Sequence, residues 1–263
     1  MTPEPQRVVS FSGARNLRDL GGYPTGDGRR VKWRRVFRSG TLGPFSADDR
    51  ARFASLGIKT VCDLRTSAER EHDPFAWDGL AYFSWDYDTV HEWRKALEHE
   101  RTPASARAVM FAVYENLPNR FVDRFAAVFG RLARGETPLL FNCSAGKDRT
   151  GITAAMILLA LDVPRETVIE DYALSDKVID LERDVVRPRL ESGETMAGGF
   201  AEIAALTPEL RAPLLASDPA YLDHALSSIE RNHGSVIAFL EKQAGIDPAT
   251  IAAMRDHLLE EPD

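Results

Sequence analysis

Residues 141–151 read Phe-Asn-Cys-Ser-Ala-Gly-Lys-Asp-Arg-Thr-Gly. Before them, Pro138 to Phe141 form a short apolar run that is typical of a buried strand. After them, Ile152 to Leu161 are apolar and rich in alanine and leucine, which is typical of a buried helix. The pattern therefore predicts a strand, a tight loop and a helix N-terminus in direct succession.

A loop of this kind suits an anion, because backbone N–H groups and the positive end of the helix dipole meet in one small space. The same field favours the thiolate of Cys143 and makes its sulfur a nucleophile near neutral pH. Arg149 follows in the loop, and its planar fork can hold two phosphate oxygens. Lys147 adds a second positive charge, and we expect the Thr150 hydroxyl to donate to the thiolate.

The composition limits the class of protein. The 263 residues allow one large domain or two small ones, and the absence of repeats or composition breaks favours one domain spanning 1–263. A net charge of −7 argues against a general nucleic-acid binder. The chain has 2 cysteines, Cys62 and Cys143, which are too few for a disulfide scaffold and favour a reducing compartment.

The N-terminus lacks the apolar segment of a signal peptide, and the longest apolar run, Ile152 to Leu161, is too short to span a membrane. We therefore expect a cytoplasmic protein with no integral membrane segment. The 6 histidines are scattered and no cluster has metal-ligand spacing, so neither a metal nor another cofactor is expected.

Short apolar runs alternate with helical patterns, which predicts an α/β fold with a largely parallel sheet. Strands are expected at 34–39, 58–64 and 80–87. Helices are expected at 46–56, capped by Ser46, at 92–100, 104–115 and 119–133, from 164 through 175, and at 218–231, 235–243 and 247–259. The weaker pattern over about 176–217 predicts a helical insertion near the active site, whose arginines Arg183, Arg187 and Arg189 lie in solvent or contact substrate.

Two features around the strand at 58–64 allow more than one interpretation. Asp63 and Arg65 end this strand, where they form either a bracing ion pair or ligand contacts. Cys62 points to the opposite face, where it is either a core residue or a resolving thiol for Cys143. The aromatic stripe of 121–132 has helical spacing and is interpreted as core.

The Cys-Ser-Ala-Gly-Lys-Asp-Arg-Thr-Gly motif resembles the phosphate-binding loop of cysteine-based protein tyrosine phosphatases, especially bacterial tyrosine and dual-specificity enzymes with Gly-Lys-Asp-Arg in the loop. The resemblance covers nearly the whole chain. It includes Asn-Leu-Arg-Asp-Leu-Gly-Gly at 16–22, Phe-Arg-Ser-Gly at 37–40, Asp-Leu-Arg at 63–65 and Asp-Tyr-Ala-Leu-Ser at 171–175.

The resemblance implies a protein-tyrosine-phosphatase-like fold and metal-independent hydrolysis of phosphomonoesters through a phosphocysteine on Cys143. Arg149 would hold the phosphate, and the rest of the loop would bind substrate through Ser144, Ala145, Gly146, Lys147 and Thr150. The substrate would be a phosphorylated protein or a phosphoinositide, and the product inorganic phosphate. One departure is Asn142, where the family usually has histidine, which implies weaker stabilisation of the thiolate.

The general acid has two candidate sources. Members with Gly-Lys-Asp-Arg are thought to use the loop aspartate, here Asp148, whereas the more usual acid lies on an upstream loop, here Asp86 or Asp88. We favour Asp148. The sequence allows two other functions: a catalytically weak module that binds phosphorylated ligands, which Asn142 suggests, and a rhodanese-type sulfurtransferase, which also uses a cysteine loop at a strand end.

Overall fold

A computed structural model describes residues 6–87, 100–196 and 198–262. Its central sheet has five strands, in the spatial order β1 (Arg18–Asp19), β3 (Val36–Ser39), β6 (Leu139–Asn142), β4 (Thr60–Asp63) and β5 (Ala81–Ser84). The first strand pairs antiparallel with its neighbour, and the other pairings are parallel, as predicted. A separate ribbon pairs β2 (Arg30–Val31) with β7 (Leu259–Glu260).

Strand β6 lies at the centre of the sheet and is buried along its whole length. Its last residue, Asn142, is in register with Ser39 of β3 and with Asp63 of β4. The carboxyl ends of three parallel strands therefore meet at one edge, and the loop that begins at Cys143 leaves the sheet between its two neighbours. This is where open α/β sheets place their ligands.

Helices cover both faces of the sheet. One face carries α1 (Ala47–Ser55) over a small aromatic cluster, and the other carries the larger core. The remaining helices are α2 (Ser67–His72), α3 (Pro103–Arg120), α4 (Val122–Ala133), α5 (Asp148–Ala160), α6 (Arg165–Val178), α7 (Arg187–Ser192), α8 (Gly199–Ala204), α9 (Pro208–Leu215), α10 (Pro219–His233), α11 (Val236–Ala244) and α12 (Pro248–Leu258), with a π-helical turn over Glu182–Val186.

Several local predictions are confirmed. Ser46 caps α1 through the backbone N–H of Asp49, and the last three helices begin next to the predicted positions, where Asp218, Ser235 and Asp247 cap them. The aromatic stripe of 121–132 is core, because Phe121, Phe125, Val128, Phe129 and Leu132 are all buried. The predicted helix at 119–133 began three residues too early, since α3 runs through Arg120 and α4 starts at Val122.

Helix α2 was not predicted, and most of the helix expected at 92–100 lies outside the described residues. In the 176–217 segment, the π-helical turn, α8 and α9 pack around Ala145 of the loop through a small apolar cluster. No described helix is both long and apolar enough to cross a membrane.

Candidate active site

The loop at the end of β6 has the predicted strand-loop-helix form. Cys143 follows the strand directly and is buried, with 2% of its surface exposed. Helix α5 starts at Asp148, so Arg149 lies in its first turn. The thiol, the loop amides and the helix N-terminus thus share one small space, which is the arrangement that stabilises a bound anion.

Two glycines allow the loop to curl against β3. Gly146 has a φ of +69°, and a Cβ there would lie 2.5 Å from the backbone N of Gly40. A Cβ on Gly40 would in turn lie 2.9 Å from the carbonyl carbon of Ala145. Thr41 then fixes the loop, because its backbone N–H and its hydroxyl both donate to the Ser144 carbonyl, at 3.1 and 3.0 Å.

A buried charge network holds the loop from behind. The Asn16 amide and the Arg38 guanidinium donate to the Gly146 carbonyl at 2.9 and 3.0 Å. Asp171 bridges Arg38, at 2.6 Å, and Arg18, at 3.2 Å. Burial raises the pKa of Asp171, but the two guanidinium charges outweigh it and hold the pKa well below its usual range. The segments that carry the family resemblance at 16–22, 37–40 and 171–175 therefore meet behind the loop.

Arg149 is fixed by Glu69 of α2. Its Nη1 and Nη2 atoms donate to the two carboxylate oxygens at 2.6 and 2.7 Å. Glu69 also accepts from the Ser144 hydroxyl at 2.6 Å and from the Thr66 backbone N–H at 2.8 Å. Burial raises the pKa of Glu69, but the charge and hydrogen bonds of Arg149 hold it well below its usual range.

This pairing leaves part of the Arg149 fork for a substrate. The outer edge, formed by the two Nη atoms, faces Glu69, and Nη1 also donates to the Leu64 carbonyl at 3.3 Å and to the Tyr87 hydroxyl at 3.2 Å. Within the described part of the chain, Nε donates no hydrogen bond to another residue. The side edge, through Nε, is therefore the edge that remains for a phosphate.

Asp148 lies at the N-terminus of α5 with 31% of its side chain exposed. Its Oδ1 accepts from the Tyr114 hydroxyl at 2.7 Å, and the Tyr114 and Tyr172 hydroxyls lie 2.6 Å apart. Burial raises the pKa of both tyrosines well above the usual value, so they are neutral donors at physiological pH. The carboxyl of Asp148 is thus oriented by a buried tyrosine pair.

Lys147 does not extend into the loop as a second phosphate ligand. Its ammonium is buried and donates to the carbonyls of Leu214 and Ala216, at 3.1 and 3.0 Å, while it pairs with Asp148 at 2.8 Å. The C-terminal end of α9 thus binds the side chain that we expected on the substrate, because helix carbonyls at that end lack partners of their own.

Thr150 also has a different partner from the one predicted. Its hydroxyl donates to the Ser39 carbonyl at 3.3 Å, not to the thiolate. Thr150 is fully buried and faces β3, so it braces α5 against the sheet. The Ser144 hydroxyl donates to Glu69, and Ala145 is buried under the apolar cluster of the 176–217 segment.

The ion-pair interpretation of Asp63 and Arg65 is confirmed. The two side chains are buried, with Nη2 and Oδ2 2.6 Å apart, and the Tyr82 hydroxyl donates to the same carboxylate at 2.7 Å. The Asn142 amide reaches Asp63 at 3.4 Å, and its Oδ1 is buried without a partner in the described part of the chain. Asn142, directly before Cys143, therefore contacts the buried Asp63–Arg65 ion pair.

Cys62 is a core residue, because its side chain is fully buried, and this burial raises the pKa of its thiol to about 12. Of the upstream acids, Asp86 is exposed and pairs with Arg70, and Asp88 lies outside the described residues.

Among residues 6–87, 100–196 and 198–262, no three His, Cys, Asp or Glu side chains form a group that could hold a metal ion.

Glu69 is the site residue that sequence reasoning missed. A signal for it exists, because Thr66-Ser67-Ala68-Glu69 follows the Asp63–Arg65 strand end and has the form of a capping box. The structure contains that box, with Thr66 and Glu69 exchanging hydrogen bonds. A capping glutamate bends back towards the helix start, which here is also the side where the catalytic loop lies.

The chain matches known proteins over almost its whole length. A model of the tyrosine phosphatase family matches residues 9–260. A Cupriavidus necator protein named as a tyrosine-protein phosphatase is 32% identical over 95% of this chain and 88% of its own length. The triple specificity protein phosphatase PtpB of Mycobacterium tuberculosis is 30% identical over 96% of this chain and 99% of its own.

Among solved structures, TpbA of P. aeruginosa in complex with phosphotyrosine aligns with a TM-score of 0.32 and 16% identity, covering 66% of this chain and 85% of TpbA. The family match extends over the catalytic loop, the strand ends around it and the helices behind it. This chain belongs to the tyrosine phosphatase family.

Proposed function

We propose that this protein hydrolyses phosphotyrosine and related phosphomonoesters through a phosphocysteine on Cys143. The observation that carries the proposal is a single loop that holds a buried thiol at its start and, at its end, an arginine fixed by Glu69. The family match and the names of the relatives support the same reaction and set aside the sulfurtransferase hypothesis.

In the first step the Cys143 thiolate attacks phosphorus in line, so that a sulfur–phosphorus bond forms while the bond to the leaving oxygen breaks. The free edge of Arg149 and the amides of the loop hold the equatorial oxygens, where charge builds up in the transition state. Water then attacks the phosphocysteine, which releases inorganic phosphate and restores the thiolate.

The leaving oxygen needs a proton, and we assign its donor to Asp148. The side chain is partly exposed beside the loop, and the Tyr114 hydroxyl fixes its orientation. Both carboxylates pair with a cation, but Asp148 lies at the end of the loop itself, whereas Asp86 pairs with Arg70 and has 87% of its side chain exposed to solvent, which makes it the weaker candidate. General acid catalysis contributes roughly 100- to 10,000-fold, so the identity of the acid has a large measurable effect.

The substrate range extends in this proposal to phosphoserine, phosphothreonine and phosphoinositides, in line with the triple specificity named for PtpB. The ammonium of Lys147 is buried and donates to the Leu214 and Ala216 carbonyls, so it is not placed to act as a second cation for such ligands. We place the activity in the cytoplasm.

The test is phosphate release from p-nitrophenyl phosphate and a phosphotyrosine peptide, without added metal, from about pH 4 to about pH 8. Cys143→Ser should abolish turnover. Asp148→Asn should remove the basic limb of the pH profile and slow poor leaving groups most, because only they depend strongly on the acid. A basic limb that persists would move the role to the upstream loop. An inactive wild type that still binds phosphotyrosine would instead support a binding module.

A further inference from the structure

The backbone of the catalytic loop has hydrogen-bond donors that the described part of the chain does not use. Among the described residues, no backbone carbonyl accepts from the N–H groups of residues 144–149, and no side chain caps α5. The carbonyls of Ser144, Ala145 and Gly146, by contrast, each accept a hydrogen bond from outside the loop. Because a buried N–H group is costly to leave unpaired, the direction of these groups decides whether a bound anion can pair with them.

Donors from two other segments hold these three carbonyls. Thr41, which follows β3, donates its N–H and its hydroxyl to the Ser144 carbonyl. Asn16, which precedes β1, donates its amide to the Ala145 and Gly146 carbonyls at 3.4 and 2.9 Å. In a planar trans peptide, the carbonyl of one residue and the N–H of the next point in opposite directions. The N–H groups that follow the three carbonyls therefore point away from Thr41 and Asn16.

A neighbouring charge fixes the orientation of the Asn16 amide. The Arg18 guanidinium donates to Oδ1 of Asn16, and because a guanidinium only donates, Nδ2 is the atom that faces the loop carbonyls. Arg18 is itself held by the Asp171 carbonyl at 2.7 Å and the Ser175 hydroxyl at 3.1 Å. Asn16 is 4% exposed and has a φ of +53°, in the left-handed region that asparagine adopts more readily than most residues. Its side chain therefore has one orientation, directed at the loop.

We propose that Asn16 and Thr41 are positioning residues for phosphate, because their donors turn the N–H groups of residues 145–147 towards the place where the phosphate binds. This proposal rests on the proposed phosphatase function. N–H groups that are aligned before the phosphate arrives need no reorganisation when it enters, so more of their interaction stabilises its charge. The two side chains thus control phosphate affinity and turnover without touching the phosphate.

The test uses two substitutions of Asn16 that share only the loss of its donation to the loop. Asn16→Asp keeps an acceptor for Arg18 but replaces the amide donor with a carboxylate oxygen and adds a negative charge. Asn16→Leu adds no charge but removes the acceptor together with the donor. The matched control is Asn116→Asp, because the exposed Asn116 amide donates to the Ala112 carbonyl at 2.9 Å on α3.

The main measurement is the affinity for inorganic phosphate, taken from the concentration of phosphate that protects the Cys143 thiol against iodoacetamide. Urea unfolding and the turnover of p-nitrophenyl phosphate are measured beside it. Both Asn16 variants should bind phosphate about tenfold more weakly, and their kcat should fall, because the same N–H groups hold the charge of the transition state. The control should match wild type in phosphate affinity and in kcat.

Thr41→Val provides a milder variant in case the buried Asn16 substitutions prevent folding. It removes the hydroxyl that donates to the Ser144 carbonyl but leaves the backbone N–H of residue 41 in place. Phosphate affinity should fall about threefold, as expected for the loss of one hydrogen bond that holds the loop. Wild-type affinity in a folded Thr41→Val protein would contradict the proposal.

Three results with the Asn16 variants would overturn the proposal. The first is phosphate affinity at the wild-type value in both folded variants, even with a lower free energy of unfolding, because that describes a purely structural asparagine. The second is weaker binding in Asn16→Asp alone, which the added charge explains. The third is weaker binding in Asn16→Leu alone, which the lost partner of Arg18 explains. A wild type that binds phosphate through Asn16 but turns over no substrate would instead contradict only the phosphatase proposal.

Discussion

The carboxylate of Glu69 connects three parts of the site, because it accepts from Arg149, from Ser144 and from the start of its own helix. Its two oxygens accept from the Nη atoms of Arg149, and within the described residues the Nε atom of Arg149 donates no hydrogen bond. Fixing the fork before the substrate arrives reduces the entropy that binding must lose. Glu69 is therefore a positioning residue for Arg149.

Glu69→Gln should lower kcat/KM for p-nitrophenyl phosphate about 10- to 100-fold, because one charge-assisted pair is lost and Arg149 gains freedom. Most of the loss should fall on kcat, since the arginine contributes most in the transition state. Steady-state kinetics measure both constants. Glu71→Gln, on the exposed face of the same helix, should change neither. Equal kinetics for wild type and Glu69→Gln would remove the positioning role.

At the scale of single residues, the sequence motif identifies the residues of the loop but not the side chains and carbonyls that they contact in the folded chain. The confinement of Arg149 depends on a carboxylate 80 positions away in the chain, and no local pattern encodes that contact. Lys147 is the opposite case, because the motif predicts a phosphate ligand. In the folded chain its ammonium instead donates to two carbonyls at the end of α9. Such outcomes depend on tertiary packing, which a single sequence does not specify.

At the scale of elements, the catalytic loop depends on close approach between its own backbone and the end of β3. Gly146 provides both the positive φ and the space, so an added methyl group would push the loop away from Gly40. The segment of α9 is attached to the same loop from the other side, through the ammonium of Lys147. We expect the loss of either contact to change activity or local stability.

Gly146→Ala should abolish most of the activity and cost more stability than the same change at a free glycine. Gly57→Ala is the matched control, because Gly57 has a φ of +68° but open space around its Cβ position. The control should lose about 1–2 kcal/mol from backbone strain alone. Urea unfolding and turnover of p-nitrophenyl phosphate measure the difference. An alanine at 146 that is no worse than one at 57 would contradict the close approach.

Lys147→Met should release the end of α9, because the Leu214 and Ala216 carbonyls lose a buried charged donor worth about 1.5–3 kcal/mol. Hydrogen exchange should accelerate in residues 208–216 ahead of the rest of the chain. Lys177→Met, an exposed lysine on α6, serves as the control and should leave exchange there unchanged. Unchanged protection in Lys147→Met would show that the contact does not hold the helix.

Elements were predictable where local chemistry marks them, as with the helices capped by Ser46, Asp218, Ser235 and Asp247. Helix α2 was missed because Ser67–His72 is short and carries no apolar stripe, although its capping box was visible. The boundary between α3 and α4 was misplaced because Pro118 sits inside the first helix, where a proline usually signals an end.

For the whole molecule, the alternation of strands and helices predicted the parallel sheet, and the family resemblance predicted a protein-tyrosine-phosphatase-like fold. The sequence did not show that buried charges would join those ends. Asp171 and Glu69 both have a pKa well below the usual range, while burial raises the pKa of Asp19 to about 6. These groups link the stability of the fold to pH in opposite directions.

The free energy of unfolding should fall as pH drops below about 5, since unfolded Glu and Asp bind protons near pH 4.3 and 3.9 while folded Glu69 and Asp171 stay ionised. Asp19 acts in the opposite direction, because its stabilising contribution falls as pH rises from about 4 to about 6. Urea unfolding at several pH values should show a smaller acid loss for Glu69→Gln than for wild type or Glu71→Gln. An identical loss in all three would contradict the linkage.

The most direct test of the central claim is rapid quenching of turnover with a phosphotyrosine peptide, followed by mass spectrometry of the protein fragment that contains Cys143. We predict that this fragment carries one added phosphoryl group, located on the Cys143 sulfur, during steady-state turnover. Turnover that proceeds with no phosphoryl group on Cys143, or with the group on another side chain, would contradict the proposed mechanism.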